Sequence, residues 1–412
     1  MKISVKPCKL RGSVVVPPSK SVAHRAIIAA ALSVWQNGAN AVTVGNIQLS
    51  EDIEATLNCI RNLGCDFKFC VETSEVAIKP CVSGVCGDVK QFDCGESGST
   101  LRFFIPIALA MGGKSMFTGR GRLLDRPQTP YFEIFDKLGI RYRLEGGKLN
   151  VDGRLRAGEY QVSGDISSQF ITGLMFALTM VDGNSSIALT TELSSRAYVD
   201  LTLDALREFG VEIVNNNYEK FTINVENRYK ARDYCVEGDY SQAAFWLVAN
   251  EIGNEITCKG LNINSLQGDK AIVDIISGKV ETDGDYVNID VDEFPDLVPI
   301  LAVYASLAHK NSRLVNAGRL RIKESDRLNA IATELNKLGG RLVEGEDWLE
   351  IEGVSEFRGG EVSAHNDHRI AMALAIAATR ASGVVTIDGA ESVRKSYPNF
   401  WEDYAKLGGE VV

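Results

Sequence analysis

One phrase recurs along this chain and limits what it can fold into: an amphipathic helical stripe ends in a bulky residue plus glycine, and a short strand-like run follows at once. Leu63-Gly64, Leu138-Gly139, Phe209-Gly210, Ser277-Gly278, Leu338-Gly339 and Leu407-Gly408 carry it, at spacings of roughly 60 to 75 residues. Glycine belongs there because it adopts the left-handed conformation that ends a helix and turns the chain into a strand. Lys337-Leu338-Gly339-Gly340 and Lys406-Leu407-Gly408-Gly409 are the closest pair of copies. The period is long for a solenoid and suits a small α/β unit used six times. A chain of 412 residues exceeds one ordinary core, so two globular halves of three units each are expected. Val236-Glu237-Gly238-Asp239 is the best candidate for the junction.

Between the glycines, strands and helices alternate. Val14 to Val16, Ile187 to Leu189, Phe221 to Val225, Val287 to Ile289 and Val384 to Ile387 read as strands. Ala23 to Leu32, Thr100 to Met111, Ser168 to Met180 and Arg369 to Thr379 read as helices, apolar nearly all round and therefore buried. The 45% hydrophobic and 24% charged content is that of a soluble globular protein. A net charge of −10 argues against nucleic acid or an anionic membrane as partner, so any basic site must be local. No secretory signal precedes Lys6-Pro7 and the longest apolar runs are too short for a bilayer, so a cytoplasmic protein is expected. Nine cysteines with no Cys-x-x-Cys pair, and Cys65 to Cys70 and Cys81 to Cys86 at the wrong spacing for zinc, read as reduced and mostly buried thiols. The four histidines form no ligand pair, and no metal is expected.

The buried helices open on similar polar clusters. These are Ser19-Lys20-Ser21 with Arg25, Ser97-Gly98-Ser99-Thr100 with Arg102, Asp125-Arg126-Pro127, Ser167-Ser168-Gln169 and Ser195-Arg196 with Tyr198. In the second half the counterparts are Pro295-Asp296, Ser325, Asn366-Asp367-His368-Arg369 and Lys395-Ser396-Tyr397-Pro398. A serine there is ordinarily a cap. A cation in a first turn opposes the helix dipole unless an anion compensates, and Lys20, Arg25, Arg102, Arg126, Arg327 and Arg369 all stand so. Such cations in an acidic protein point to a small polyanionic ligand. Lys323-Glu324-Ser325-Asp326-Arg327 adds a carboxylate between two cations where Leu328, Ile331, Leu335 and Leu338 start a helical stripe, with Ser325 or Asp326 as its cap. Lys323, Glu324 and Arg327 are expected on its first turn. His368 beside Asp367 is a candidate general base or a residue that holds the site in place. No phosphate-binding nucleotide loop and no Gly-x-Ser-x-Gly elbow competes; Gly119-Arg120-Gly121 lacks a third glycine.

In this order, Pro18-Ser19-Lys20-Ser21, Gly95-Glu96-Ser97-Gly98-Ser99-Thr100, Asp125-Arg126-Pro127, Ser167-Ser168-Gln169, Pro295-Asp296, Lys323 to Arg327 and Asn366 to Arg369 resemble the 5-enolpyruvylshikimate-3-phosphate synthase family of enolpyruvyl transferases over essentially the whole length. The resemblance implies an α/β (α+β) fold of two domains, each of three βαβαββ units with buried helices, and an active site in the interdomain cleft. The halves would be 20–236 and 237–412 plus 1–19, because the family's N-terminal strand belongs to the second domain. The implied substrates are shikimate 3-phosphate and phosphoenolpyruvate, with no cofactor; a monomer is expected.

Carried over by motif, Ser21 and Arg25 would hold the shikimate carboxylate end, and Ser167, Ser168, Ser195 and Lys323 the 3-phosphate, with Gln169 and Tyr198 lining the site. Arg327 and Arg369 would grip the phosphoenolpyruvate carboxylate, and Lys20, the Gly98 backbone, Arg126, Gln169 and Lys395 its phosphate. Glu324 would donate and recover the C3 proton, while Asp296, helped by Lys20, would accept the proton of the attacking hydroxyl. Glu96 and Arg319 depart from the commoner residues, and Phe103 replaces a frequent proline, a change expected to alter sensitivity to glyphosate-class inhibitors. The related UDP-N-acetylglucosamine enolpyruvyl transferases typically carry a cysteine shortly before the Arg-Pro loop, whereas Gly119 to Asp125 holds none. A non-catalytic RNA-binding or clamp protein would need a broad basic face, which this acidic chain does not provide.

Overall fold

The structure is a computed structural model and describes residues 1–38, 41–81, 88–226, 228–283, 286–308 and 311–411; Cys86 and His309 lie outside the described residues. Two compact units divide it, Lys20–Glu237 and Met1–Ser19 with Gly238–Val412.

The first unit holds helices α1 (Lys20–Asn37), α2 (Glu51–Cys59), α3 (Gly98–Met111), α4 (Thr129–Leu138), α5 (Ser168–Leu178) and α6 (Arg196–Glu208). Its sheets share one strand order. Val89–Asp93 pairs in parallel with Gly113–Thr118, which pairs antiparallel with Lys148–Gly153, itself paired with Arg141–Glu145. Glu159–Val162, Ser185–Leu189, Lys220–Ile223 and Ile213–Asn216 repeat that order. The third sheet takes its first strand from the far end of the unit: Tyr234–Cys235 runs parallel to Val42–Gly45, ahead of Glu75–Pro80 and Cys65–Cys70.

The second unit holds α7 (Tyr240–Glu251), α8 (Ala271–Ile276), α9 (Val298–Ala308), α10 (Arg327–Lys337), α11 (His368–Ala378) and α12 (Phe400–Lys406). Tyr286–Asp290, Asn311–Val315, Leu349–Glu352 and Arg341–Glu344 repeat the order, with Glu281–Asp283 added at the edge. Gly360–Ser363 and Val385–Asp388 repeat it again, completed by Lys2–Val5 and a bridge from Val5 to Val411. Among the described residues the fourth repeat is cut short, to Arg11–Val15 beside Glu255–Lys259.

Each glycine of the recurring phrase has positive φ, from 66° at Gly139 to 91° at Gly408, so each helix ends in the left-handed turn that only glycine adopts without strain. The odd-numbered helices are the apolar ones; every residue of α11 is buried. Among the described residues no helix is long and apolar enough to cross a membrane, and no group of three His, Cys, Asp or Glu could hold a metal. Burial of the thiols is less complete than expected. Cys59, Cys65 and Cys94 are buried, Cys8, Cys70, Cys81 and Cys258 are half-buried, and Cys235 is exposed, because these positions fall on strands and loops as well as in helices.

The contact between α3 and α5 shows how the first unit positions its helix starts. Pro106 inside α3 has no N–H, which leaves the Arg102 carbonyl without its helical partner. The Tyr131 hydroxyl takes over, donating to Arg102 O at 2.5 Å with Phe170 O at 3.2 Å. Gly173 makes the approach possible, since a β-carbon there would lie 2.3 Å from Tyr131 Oη and 2.4 Å from Arg102 O. Tyr131→Phe should lower the urea unfolding free energy by about 1–3 kcal/mol, the cost of an unsatisfied buried carbonyl, and Gly173→Ala by at least as much. Unchanged denaturation midpoints for both would remove the role given to Tyr131 at the Arg102 carbonyl.

Candidate active site

In the first unit one set of bonds ties α1 to α6 and another ties the start of α3 to the start of α5. Arg25 is 2% exposed and donates through Nε to Thr202 Oγ1, through Nη1 to Ser21 O and through Nη2 to Tyr198 O, each at 2.8 Å. Burial pushes its guanidinium down to about 10. Arg102 Nη1 donates to Gln169 Oε1 at 2.8 Å, and Gln169 Nε2 to Ser99 Oγ at 3.0 Å. A β-carbon at Gly98 would sit 2.9 Å from Arg126 Nη1 and 3.4 Å from Gln169 Oε1, so the absent side chain is what lets the guanidinium lie on the helix start. Ser97 caps α3 by accepting from Thr100 N, and Ser167 caps α5 by accepting from Gln169 N. Ser168 is buried within the first turn of α5. Ser195 opens α6 in the left-handed conformation, φ 58°, an unusual state for serine of the kind found at functional turns. Lys20 Nζ lies 2.7 Å from Asp52 Oδ2, a partner with no sequence signal because it comes from another helix. Glu96 lies against Gly121, where a β-carbon would meet its Oε2 at 2.9 Å.

The second unit gathers its charges more tightly. Asp326 caps α10 by accepting from Asn329 N, and the helix starts at Arg327. Ser325 is not a cap: its hydroxyl donates to Asp367 Oδ2 at 3.0 Å. Lys323 and Glu324 stand in the loop after the 3-10 turn Gly318–Ile322, not on the first turn of the helix. That turn is held by Arg321, which bonds Asp326 Oδ2 at 2.9 Å and Glu344 Oε2 at 3.1 Å. Arg319 pairs with Asp292 at 2.7 Å.

Arg327 is 1% exposed and donates Nε to Asp367 Oδ2 at 2.7 Å, Nη1 to Asp296 Oδ1 at 2.9 Å and Nη2 to Glu324 Oε2 at 2.6 Å. Arg369 Nη2 reaches Asp296 Oδ2 at 2.8 Å, and its Nη1 reaches Ser241 Oγ at the start of α7. Lys323 Nζ is farther from Asp296, at 3.5 Å. Lys395 Nζ donates to Asn366 O at 2.6 Å. Burial works to raise the Asp296 carboxyl, but Arg369, Lys323 and Arg327 outweigh it and hold the group well below the usual carboxylate range. Arg327 stays charged despite burial because Asp367, Glu324 and Asp296 surround it. Burial lowers the Lys323 ammonium against the pull of Asp296. His368 is buried, its Nδ1 3.9 Å from Asp367 Oδ1. Two arginine forks, two carboxylates and a lysine on one spot can bind a carboxylate and move protons beside it.

A family model described as EPSP synthase (3-phosphoshikimate 1-carboxyvinyltransferase) matches residues 5–404. The chain belongs to the EPSP synthase family. The 3-phosphoshikimate 1-carboxyvinyltransferase of Clostridium acetobutylicum is 49% identical over 429 residues, covering 99% of this chain and 98% of its own length. That of Clostridium kluyveri is 46% identical over 424 residues at the same coverage. Among solved structures, an EPSP synthase from Acinetobacter baumannii matches with a TM-score of 0.79 and 26% identity, covering 100% of this chain and 99% of that one. The enolpyruvyl transferase NikO from Streptomyces tendae, at 16% identity and a TM-score of 0.78 over 100% of this chain and 98% of its own, speaks for the fold alone.

The sequence motif contained Asp367 without revealing its weight as the acceptor at the centre of the second unit's cluster. Asp367→Asn should destabilise the protein by about 3 kcal/mol in urea titration, because it leaves the buried Arg327 charge short of its main partner. Loss of less than about 0.5 kcal/mol would mean that Asp296 and Glu324 alone suffice to hold that charge.

Proposed function

We propose that this chain transfers the enolpyruvyl group of phosphoenolpyruvate to the 5-hydroxyl of shikimate 3-phosphate and releases phosphate. The observation that carries the proposal is the cluster of Arg327, Arg369, Asp296 and Glu324, in which two planar cations and two carboxylates meet within hydrogen-bond distance. The names of the relatives support it. Arg327 and Arg369 hold the donor carboxylate; Lys20, the Gly98 N–H, Arg126, Gln169 and Lys395 hold its phosphate. Ser167, Ser168, Ser195 and Lys323 take the acceptor phosphate, Ser21 and Arg25 its carboxylate end, and Tyr198 lines the site with Gln169.

In the addition step the acceptor oxygen bonds to C2 of phosphoenolpyruvate, Asp296 takes the hydroxyl proton with Lys20 assisting, and Glu324 delivers a proton to C3. In the elimination step the C2–O bond to phosphate breaks, phosphate departs, and C3 returns its proton to Glu324. The charge pairing adds an order to these events. Asp296 is a poor base while Arg327 and Arg369 bond it, and a donor carboxylate that enters the two forks takes those bonds away. The base therefore gains strength only once the donor is in place.

Phosphate release from phosphoenolpyruvate should occur with shikimate 3-phosphate as acceptor and not with UDP-N-acetylglucosamine; silence with the first would sink the proposal. Glu324→Gln should retain both substrates in equilibrium binding and lose turnover by roughly a hundredfold or more. Asp296→Asn should lose turnover to a similar degree, yet bind phosphoenolpyruvate more tightly by calorimetry because an internal competitor for the forks is gone. Weaker binding in that variant would remove the competition. Gly98→Ala should raise the KM for phosphoenolpyruvate by about tenfold or more, since its methyl group displaces Arg126, while the KM for shikimate 3-phosphate stays near that of the parent. Equal KM values for the donor would free Gly98 of that role.

A further inference from the structure

A row of buried polar groups in the first unit has no part in the chemistry above. His24, one turn beyond Lys20 on α1, is 1% exposed, and its Nδ1 lies 2.7 Å from Thr56 Oγ1 on α2. Thr56 Oγ1 is 2.7 Å from Thr100 Oγ1 on α3, and Thr100 Oγ1 donates to Ser97 Oγ at 2.8 Å. Both threonines are 0% exposed and Ser97 is 1% exposed. One end of the row therefore stands next to Lys20, and the other is the residue immediately before Gly98.

Counting protons fixes the direction of every bond. Each hydroxyl carries one proton, and that of Thr100 is used on Ser97. Thr56 must then donate to Thr100, which leaves His24 Nδ1–H to donate to Thr56. Nδ1 thus carries a proton, while Nε2 is buried and without a hydrogen-bond partner among the described residues. Burial, Lys20 and Arg25 together hold the ring well below its ordinary range, in keeping with a neutral imidazole. At the other end, Ser97 Oγ also accepts from Thr100 N at 3.2 Å, and Ser97 O accepts from Leu101 N at 3.1 Å. Gly98 and Ser99 are left to supply the first-turn N–H donors of α3.

Apolar packing alone lets one helix slide on another by a fraction of an ångström at little cost, whereas three short directional bonds between buried groups do not. We propose that the His24–Thr56–Thr100–Ser97 row is a positioning device that sets the spacing between Lys20 and Gly98, and so the fit of both to the phosphate of phosphoenolpyruvate. It rests on the assignment of those two residues in the proposed function. His24, Thr56, Thr100 and Ser97 act through them and are positioning residues.

Thr56→Val is nearly isosteric and cuts the row at its centre, while Thr56→Ser keeps it. The valine variant should raise the KM for phosphoenolpyruvate by roughly tenfold, with kcat and the KM for shikimate 3-phosphate within about twofold of the parent. The serine variant should restore the parent value. A folded valine variant whose donor KM lies within about twofold of the parent, or one that loses kcat and both KM values together, would overturn the proposal. If the valine variant does not fold, 15N NMR of His24 in the parent chain decides. An Nδ1–H tautomer that persists from about pH 6 to 8 is expected, and a protonated Nε2 would overturn the row. Should the parent chain release no phosphate with shikimate 3-phosphate, the proposed function falls by that result, and the tautomer still tests the row.

Discussion

The buried pair of Arg327 and Asp367 is the interaction on which the second unit's site depends. The aspartate is 0% exposed and the arginine 1%. Such a pair is tolerable only when every remaining hydrogen-bond site is filled, because desolvation of each charge costs several kcal/mol. Here the condition is met. Asp367 accepts from Arg327 Nε and Nη2, from Ser325 Oγ and from Arg369 N. As the cap of α11 and the partner of α10's first residue, it binds two helix starts into one rigid corner. What is left of the Arg327 fork then fixes Asp296 and Glu324.

Much of the fold was legible because the signals that specify it are local. A glycine after a helical stripe forces a left-handed turn wherever it stands, which is why six such marks foretold the repeated units. The closing strands were harder to see. Tyr234–Cys235 completes a sheet that begins at Val42, and Lys2–Val5 completes one built from Gly360 onward. Neither strand carries anything in its own residues that names a partner so far away. The shortened fourth repeat was hidden for a related reason: its glycine, Gly278, is intact, while the strands it lacks among the described residues leave no mark in the sequence.

The candidate site was legible in its charged residues but not in their mutual bonds. Lys20, Arg126, Asp296, Glu324, Arg327 and Arg369 could be named from motifs because each stands at a helix start or in the loop that leads into one, positions readable from the neighbouring pattern. Their present partners could not. Asp52 for Lys20, Ser241 for Arg369 and Thr202 for Arg25 come from elements 32, 128 and 177 residues away. Ser325 shows the limit at short range. Ser325 and Asp326 were equal candidates for the cap until the tertiary contact with Asp367 claimed the serine.

Cations at helix starts, unfavourable against the dipole, are compensated differently in the two units, and the difference bears on what each can bind. Around Asp296 the balance is even: Asp296, Glu324 and Asp367 face Lys323, Arg327 and Arg369. An incoming carboxylate there gains little net attraction and must exchange with an internal one, which favours selectivity and proton transfer over affinity. In the first unit the hydrogen bonds of Arg25 go to a hydroxyl and two carbonyls among the described residues, and those of Arg102 include an amide oxygen and a carbonyl. Around Arg25 neutral acceptors satisfy the N–H groups but leave the charge, whereas Lys20 at the start of α1 is paired with the Asp52 carboxylate. Arg25 thus keeps its charge beside dipoles while Arg327 and Arg369 share theirs with carboxylates, and under the proposed function the first arrangement suits holding an anion and the second suits handling a proton.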